Sequence, residues 1–349
     1  MPQHQQRIAV LGAGANGASI GADLTAAGHD VTLIEQWPAH VEKMRADGLR
    51  IEMPDRVLAL PVRAHHLCEV AEMRQPFDIV LVLVKAYDTR WACELIKPLV
   101  AADGLVAGVQ NGMTADVVAD AVGPERAIGC VIECSSKLEQ PGVVERHSPP
   151  EHSWFAVGPL SAATVGREVD VAALLSHSGA VEVVEDVRSA KWMKLVSNAT
   201  ALVTSAILGA PFMSALKHEA MRDLMVAAGQ EALDAGLARG YSIQPIFGLE
   251  PADVAAPELV VERLLTALAE GGFALPQTTS TALHDWSKGR RSEVDEINGI
   301  VVAELGAELA PVSAAVVEVA HRIERGELEP RLENYELLAE LAGGSRGVR

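Results

Sequence analysis

Glycines 12, 14 and 17 and a glutamate at 35 carry the most chemistry per residue in this chain. They lie in RIAVLGAGANGASIGADLTAAGHDVTLIE, residues 7–35. Ile8–Leu11 reads as a strand, the small residues after Gly17 as a helix, and Val31–Ile34 as a second strand. In a G-x-G-x-x-G turn, Gly12 permits the tight bend, Gly14 lets backbone approach a pyrophosphate, and Gly17 lets helix and strand pack closely. The helix N-terminus adds N–H groups and partial positive charge for phosphates. Glu35 stands where a carboxylate accepts hydrogen bonds from an adenosine ribose. The pattern predicts a bound dinucleotide. A methyltransferase that uses S-adenosylmethionine also joins a glycine turn to a later acid, but rarely at the start of a chain with a helical domain behind it.

Further polar residues stand at informative places. Lys85 closes the apolar strand in FDIVLVLVK, and ligands of open α/β sheets collect at the carboxyl ends of strands. By itself it fits a lysine snorkelling from a strand end equally well. Asn111, in VQNGM, ends the next strand. Its amide suits a nicotinamide, a ribose or a substrate hydroxyl, and also a plain Asn-Gly turn. Lys194 and Asn198 are four apart in KWMKLVSN and share a helix face. A lysine there can polarise a ketone and deliver a proton, although a Lys191/Lys194 pair facing solvent is the commoner arrangement. Ser292 reads as a helix N-cap, which makes Glu293 a first-turn carboxylate.

The elements around these residues fall into two regimes. Strand and helix signals alternate up to about residue 187: strands at 49–53, 57–62, 77–84, 104–109, 127–132, 142–146 and 154–157, with helices at 40–47, 91–100 and 115–122. This predicts an α/β fold, a Rossmann-type doubly wound parallel sheet spanning 1–187. Beyond it, helical periodicity dominates, with helices at 189–208, 213–238, 257–269, 294–309 and 312–325. An all-helical C-terminal domain, 188–342, is expected to hold substrate and to offer a surface for a homodimer. Residues 343–349 read as a disordered tail.

The 349 residues carry a formal charge of −18, which argues against nucleic acid or anionic membrane as partners. Four cysteines, Cys68, Cys93, Cys130 and Cys134, form no C-x-x-C pair and read as buried reduced thiols; no metal site is expected. His65, His66, His147, His152 and His177 lack partners at ligand spacing and read as surface or loop residues. No secretory signal or membrane span is apparent, so a cytoplasmic protein is expected.

Taken together, GAGANG at 12–17, LVLVKAYDT with Lys85, QNGM with Asn111, KWMKLVSNA with Lys194 and Asn198, and the S-x-V-D-x-I-N-G segment with Glu293 resemble the ketopantoate reductase family (2-dehydropantoate 2-reductases) from about residue 7 to 325. The resemblance implies reduction of 2-dehydropantoate to pantoate with a nicotinamide cofactor, as in pantothenate biosynthesis. It implies Lys194 as proton donor and Glu293 as a carboxylate of the catalytic site. Asn198, Asn111 and Thr281 would contact substrate, Thr281 standing in for the serine of an S-x-x-x-D pattern that ends here at Asp285. Gly12, Gly14, Asn16, Gly17, Glu35, Lys85 and Asn111 would hold the cofactor.

Three departures bear on function. Leu202 occupies the place of a second substrate-binding asparagine. Glu35-Gln36-Trp37 stands where members that use NADP(H) usually carry an arginine, and a carboxylate repels a 2′-phosphate, favouring NAD(H) over NADP(H). Segments 241–276 and 327–349 lengthen the chain relative to shorter members. The expected activity is hydride transfer between NAD(P)H and the keto carbon of a 2-oxo acid. An NAD-dependent dehydrogenase of the same family acting on another hydroxy acid, alcohol or opine-type substrate is the alternative, and a non-catalytic nucleotide-binding regulator a more distant one.

Overall fold

Alternating apolar residues organise the first of two units into which the chain divides, Met1–Arg188 and Ser189–Arg349. The structure is a computed structural model that describes residues 5–270 and 275–344. In the first unit the strands are β1 (Arg7–Leu11), β2 (Asp30–Glu35), β3 (Leu49–Glu52), β4 (Val57–Leu60), β5 (Arg63–His66), β6 (Phe77–Val82), β7 (Val100–Val109), β8 (Ala127–Glu133), β9 (Ser136–Gln140), β10 (Val143–Arg146), β11 (Trp154–Pro159) and β12 (Ala180–Val183). Its helices are α1 (Ala15–Ala26), α2 (Pro38–Asp47), α3 (Thr89–Ile96), α4 (Ala115–Val122) and α5 (Glu168–Leu175).

Eight strands form one sheet in the order β12-β11-β8-β7-β6-β1-β2-β5. All neighbours in it are parallel except β8 and β11. Side chains alternate across its faces. Ile8 and Val10 join α1, α2 and α5 on one side, whereas Ala9 and Leu11 join α3 and α4 on the other. Both faces are therefore covered by helices, which is why Ile8–Leu11 in β1 and Ile79–Val82 in β6 are unbroken apolar runs. The chain reverses direction of winding between β1 and β6, so the sheet has its switch point there.

Several expectations need correction. The strands expected at 49–53, 57–62 and 142–146 do not extend the main sheet. They form a separate four-stranded sheet, β4-β3-β10-β9, in which β10 pairs parallel to β3 from far away in sequence. That sheet rests on α1: Ser19 Oγ lies 3.3 Å from Ser136 Oγ, and buried Arg146 bonds Asp23 at 2.5 Å. The strand expected at 77–84 ends at Val82, and the histidine pair His65-His66 lies in a strand, β5, absent from the sequence reading. Cys68 is exposed rather than buried.

The second unit is helical: α6 (Val187–Ile207, beginning two residues before the division), α7 (Phe212–Leu216), α8 (Glu219–Ala238), α9 (Pro257–Glu270), α10 (Thr281–Ser287), α11 (Ile300–Leu305), α12 (Pro311–Glu324) and α13 (Asn334–Gly344). The single helix expected over 213–238 is broken between α7 and α8, where the His218 imidazole caps α8 by accepting from Met221 N. The helix expected over 294–309 is a π-turn, Asp295–Gly299, followed by α11, which Gly306 ends at φ 80°. Gly343 and Gly344 close α13 instead of starting a disordered tail; residues 345–349 lie outside those described.

Val203, Ile207, Met221, Met225, Val316 and Val319 share the core of this unit. The Glu231 carboxylate on α8 accepts from Val312 N and Ser313 N at 2.9 and 2.7 Å, satisfying the first N–H groups of α12. No helix among the described residues is long and apolar enough to cross a membrane.

Candidate active site

In the first unit, the residues expected at the cofactor lie at or just beyond the carboxyl ends of parallel strands or in the first turn of α1. Gly12 follows β1 with φ 95°, a conformation that L side chains rarely adopt, and its N–H donates to Ile34 O at 2.9 Å. A Cβ on Gly12 would also lie 2.7 Å from Val84 N. A Cβ on Gly17 would overlap the carbonyl oxygen of Gly12, and so Gly17 lets α1 begin against the turn. Around Gly14, by contrast, an added Cβ would meet nothing within 4 Å. That open backbone, at the N-terminus of a 12-residue helix, leaves room for a group to approach the free N–H groups.

The flanking strands bring the rest to the same rim. Glu35, 8% exposed, ends β2 one residue after Ile34, and its Oε1 accepts from Trp37 N at 2.9 Å. Lys85 follows Val84, the residue against Gly12. The neighbour of Asn111, Gln110, donates to Val84 O at 2.6 Å and to Thr89 at 3.0 Å, tying the end of β7 to the end of β6. Asn16 Oδ1 and Asn111 Oδ1 are buried with no hydrogen-bond partner among the described residues. Orphaned amide oxygens beside an open glycine cradle fit a polar dinucleotide.

His40, which the sequence reading passed over, fixes this loop from below. Its Nε2 donates to Ala13 O at 3.1 Å and its Nδ1 accepts from Gly142 N at 2.8 Å. Burial holds its pKa down at about 4, against the opposing effect of the Ala13 hydrogen bond.

In the second unit, α6 is buried on nearly all sides, and Leu202 is the least covered residue of the run 189–208. The solvent-facing Lys191/Lys194 pair is overturned: the two lysines are 2% and 7% exposed. Asn198, one turn beyond Lys194, is 4% exposed, and its Nδ2 has no partner. The Lys194 ammonium lies 5.2 Å from the centre of the Phe247 ring.

The π-turn carries a second residue missing from the sequence reading. Asn298 Nδ2 donates to Ala199 O at 3.2 Å, which fastens the turn beside Asn198. An Asn-Gly pair inside a helical run was the available signal, since neither residue favours a helix interior. Glu293 is buried just before this turn, and its charge adds to the burial that raises the Glu296 pKa. Ser292 is not a cap: its N–H and Oγ both donate to Glu324 at 2.7 Å. Thr281 opens α10 with its Oγ1 buried and unpartnered, four residues from buried Asp285. Among the described residues no group of three or more metal-ligating side chains comes together.

A glycine turn at the switch point of a doubly wound sheet, followed by a helical unit, defines the class: a Rossmann-type dinucleotide-binding protein. Comparison with known families narrows it. Residues 8–160 match the model of ketopantoate reductase PanE/ApbA and residues 186–325 that of its C-terminal domain. The chain belongs to the ketopantoate reductase family, NAD(P)-dependent oxidoreductases acting on CH–OH groups.

Among curated relatives, the 2-dehydropantoate 2-reductase of Mesorhizobium japonicum is 27% identical, the alignment covering 92% of this chain and 99% of that one. A crystal structure of a PanE/ApbA family ketopantoate reductase from Ralstonia eutropha superposes with a TM-score of 0.75 at 27% identity, covering 92% and 99% of the two chains. The ternary structure of D-mandelate dehydrogenase with NADH and anilino(oxo)acetate shares the fold, with a TM-score of 0.79 at 20% identity over 92% and 99% of the chains.

Proposed function

We propose that this protein reduces a 2-oxo acid of the 2-dehydropantoate type, using NADH in preference to NADPH, with Lys194 as the proton donor. The observation that carries the reading is a buried ammonium one helical turn from a buried amide with no partner of its own. Burying an amide donor without compensation costs stability, so the retention of Asn198 fits a polar ligand that completes it.

When bound, the nicotinamide supplies the hydride. The backbone around Gly12, Gly14 and Gly17 and the N-terminus of α1 would hold the pyrophosphate. Asn16, Lys85 and Asn111 line the same rim and would orient the nucleotide. Glu35 would accept from the ribose hydroxyls and exclude a 2′-phosphate by charge repulsion. Lys194 transfers a proton to the keto oxygen as its carbon is reduced, leaving a neutral amine that regains a proton from solvent. Asn198 donates to the substrate carboxylate or hydroxyl, with Thr281 as a further contact. Glu293, buried just before the π-turn, would supply a carboxylate of the catalytic site.

Assays with 2-dehydropantoate and both cofactors test this reading. NADH should give the higher kcat/KM by about tenfold or more, the usual scale of one charge placed against a phosphate. Higher kcat/KM with NADPH would overturn the role of Glu35. A second reading rests on Leu202: a leucine beside Asn198 on α6 suits a less polar acid than 2-dehydropantoate. Turnover of another 2-oxo acid with none of 2-dehydropantoate would favour it.

A further inference from the structure

The chain after α8 touches α6 at three residues. Ser242 N donates to Ser189 Oγ at 2.9 Å, the Tyr241 ring lies 5.2 Å from Trp192, and the Phe247 ring lies 5.2 Å from Lys194 Nζ. Ile246 and Phe247 are 1% and 7% exposed, so this stretch is packed rather than loose.

Phe247 has φ 60° and is the only non-glycine with positive φ among the described residues. Gly248 follows at φ 75°, and Leu249 N closes the turn on Ile246 O at 3.1 Å. Left-handed backbone disfavours an aromatic residue, and a glycine would take the position without strain. Strain of this kind persists where the surrounding structure over-determines it, and it gathers at functional sites. Here the strained residue presents its ring to the ammonium.

We infer that Phe247 is a positioning residue for Lys194, holding the ammonium through a cation–π contact; the inference rests on the proton-donor role proposed above. A lysine side chain has four rotatable bonds and reaches many positions. The negative face of an aromatic ring attracts a desolvated ammonium and narrows those positions to one region.

The test replaces Phe247 by phenylalanines bearing one, two and three ring fluorines, which weaken the ring quadrupole with little change of shape. Turnover is measured with 2-dehydropantoate and NADH at saturation. The expected result is a stepwise fall in kcat, with Phe247→Leu about 3- to 30-fold below wild type, Phe247→Trp close to wild type, and KM nearly constant. In ligand-free protein, the Lys194 ε-CH2 protons should show an upfield ring-current shift that Phe247→Leu abolishes. A flat kcat across the fluorine series, or an effect confined to KM, overturns the inference. If Lys194→Ala abolishes turnover while the series stays flat, Phe247 alone is misread. If Lys194→Ala retains turnover, the proton-donor reading falls and this inference with it.

Discussion

Gly17 stands so close to Gly12 that a Cβ on the first would overlap the carbonyl oxygen of the second. Two residues away, a Cβ on Gly14 would meet nothing within 4 Å. The same substitution should therefore have opposite consequences at the two sites. Gly17→Ala forces the turn and α1 apart and is expected to destabilise the protein by about 1–3 kcal/mol, as overpacking does. Gly14→Ala adds a methyl group only to the open space at the start of α1, where the pyrophosphate is proposed to lie: the melting temperature should stay within a degree or two, whereas NADH affinity should fall at least tenfold by calorimetry. Equal melting temperatures for the two variants would contradict this division.

His40 gives the first unit a pH dependence of known sign. The neutral ring satisfies Ala13 O and Gly142 N at once, and protonation would turn the Nδ1 acceptor into a donor facing an N–H. The folded pKa of about 4 lies below the ordinary histidine value of 6.5, so the unfolded chain binds the proton more readily. The contribution to stability is complete above pH 6.5 and is lost as pH falls towards 4. A shift of that size corresponds to about 3 kcal/mol. Urea unfolding across this range should show the decline in wild type and a flatter profile in His40→Gln. The same slope in both proteins would place the dependence elsewhere.

The sequence made the two regimes and most of the candidate residues readable for a common reason. Their signals are local: strand–glycine turn–helix around residues 12–17, an apolar run ending at Lys85, and a helical spacing from Lys194 to Asn198. What escaped depends on distant partners. β3 and β10 have ordinary strand sequences, and nothing in either shows that they pair with each other outside the main sheet. Helical periodicity runs through 295–299 without showing the wider π spacing that aims Asn298 at α6. His40 looks like any polar helical residue until Gly142 arrives from about a hundred positions away. Phe247 belongs to the segment that seemed only to lengthen the chain.

Asn198 carries a prediction that separates binding from folding. Among the described residues its Nδ2 has no hydrogen-bond partner, so Asn198→Ala breaks no bond that this nitrogen makes there. The melting temperature should hold or rise slightly. KM for the 2-oxo acid should increase about 10- to 100-fold, the weight of a hydrogen bond to a charged group, while KM for NADH is unchanged. A destabilised variant with unaltered KM would make Asn198 a structural residue.

The turnover of Lys194→Ala tests the proposed proton-donor role of Lys194 most directly. With saturating NADH and 2-oxo acid, kcat should fall about 10²-fold or more, as expected for loss of a general acid, with the melting temperature and NADH affinity preserved. Wild-type turnover in Lys194→Ala would remove Lys194 from the reaction and contradict the mechanism.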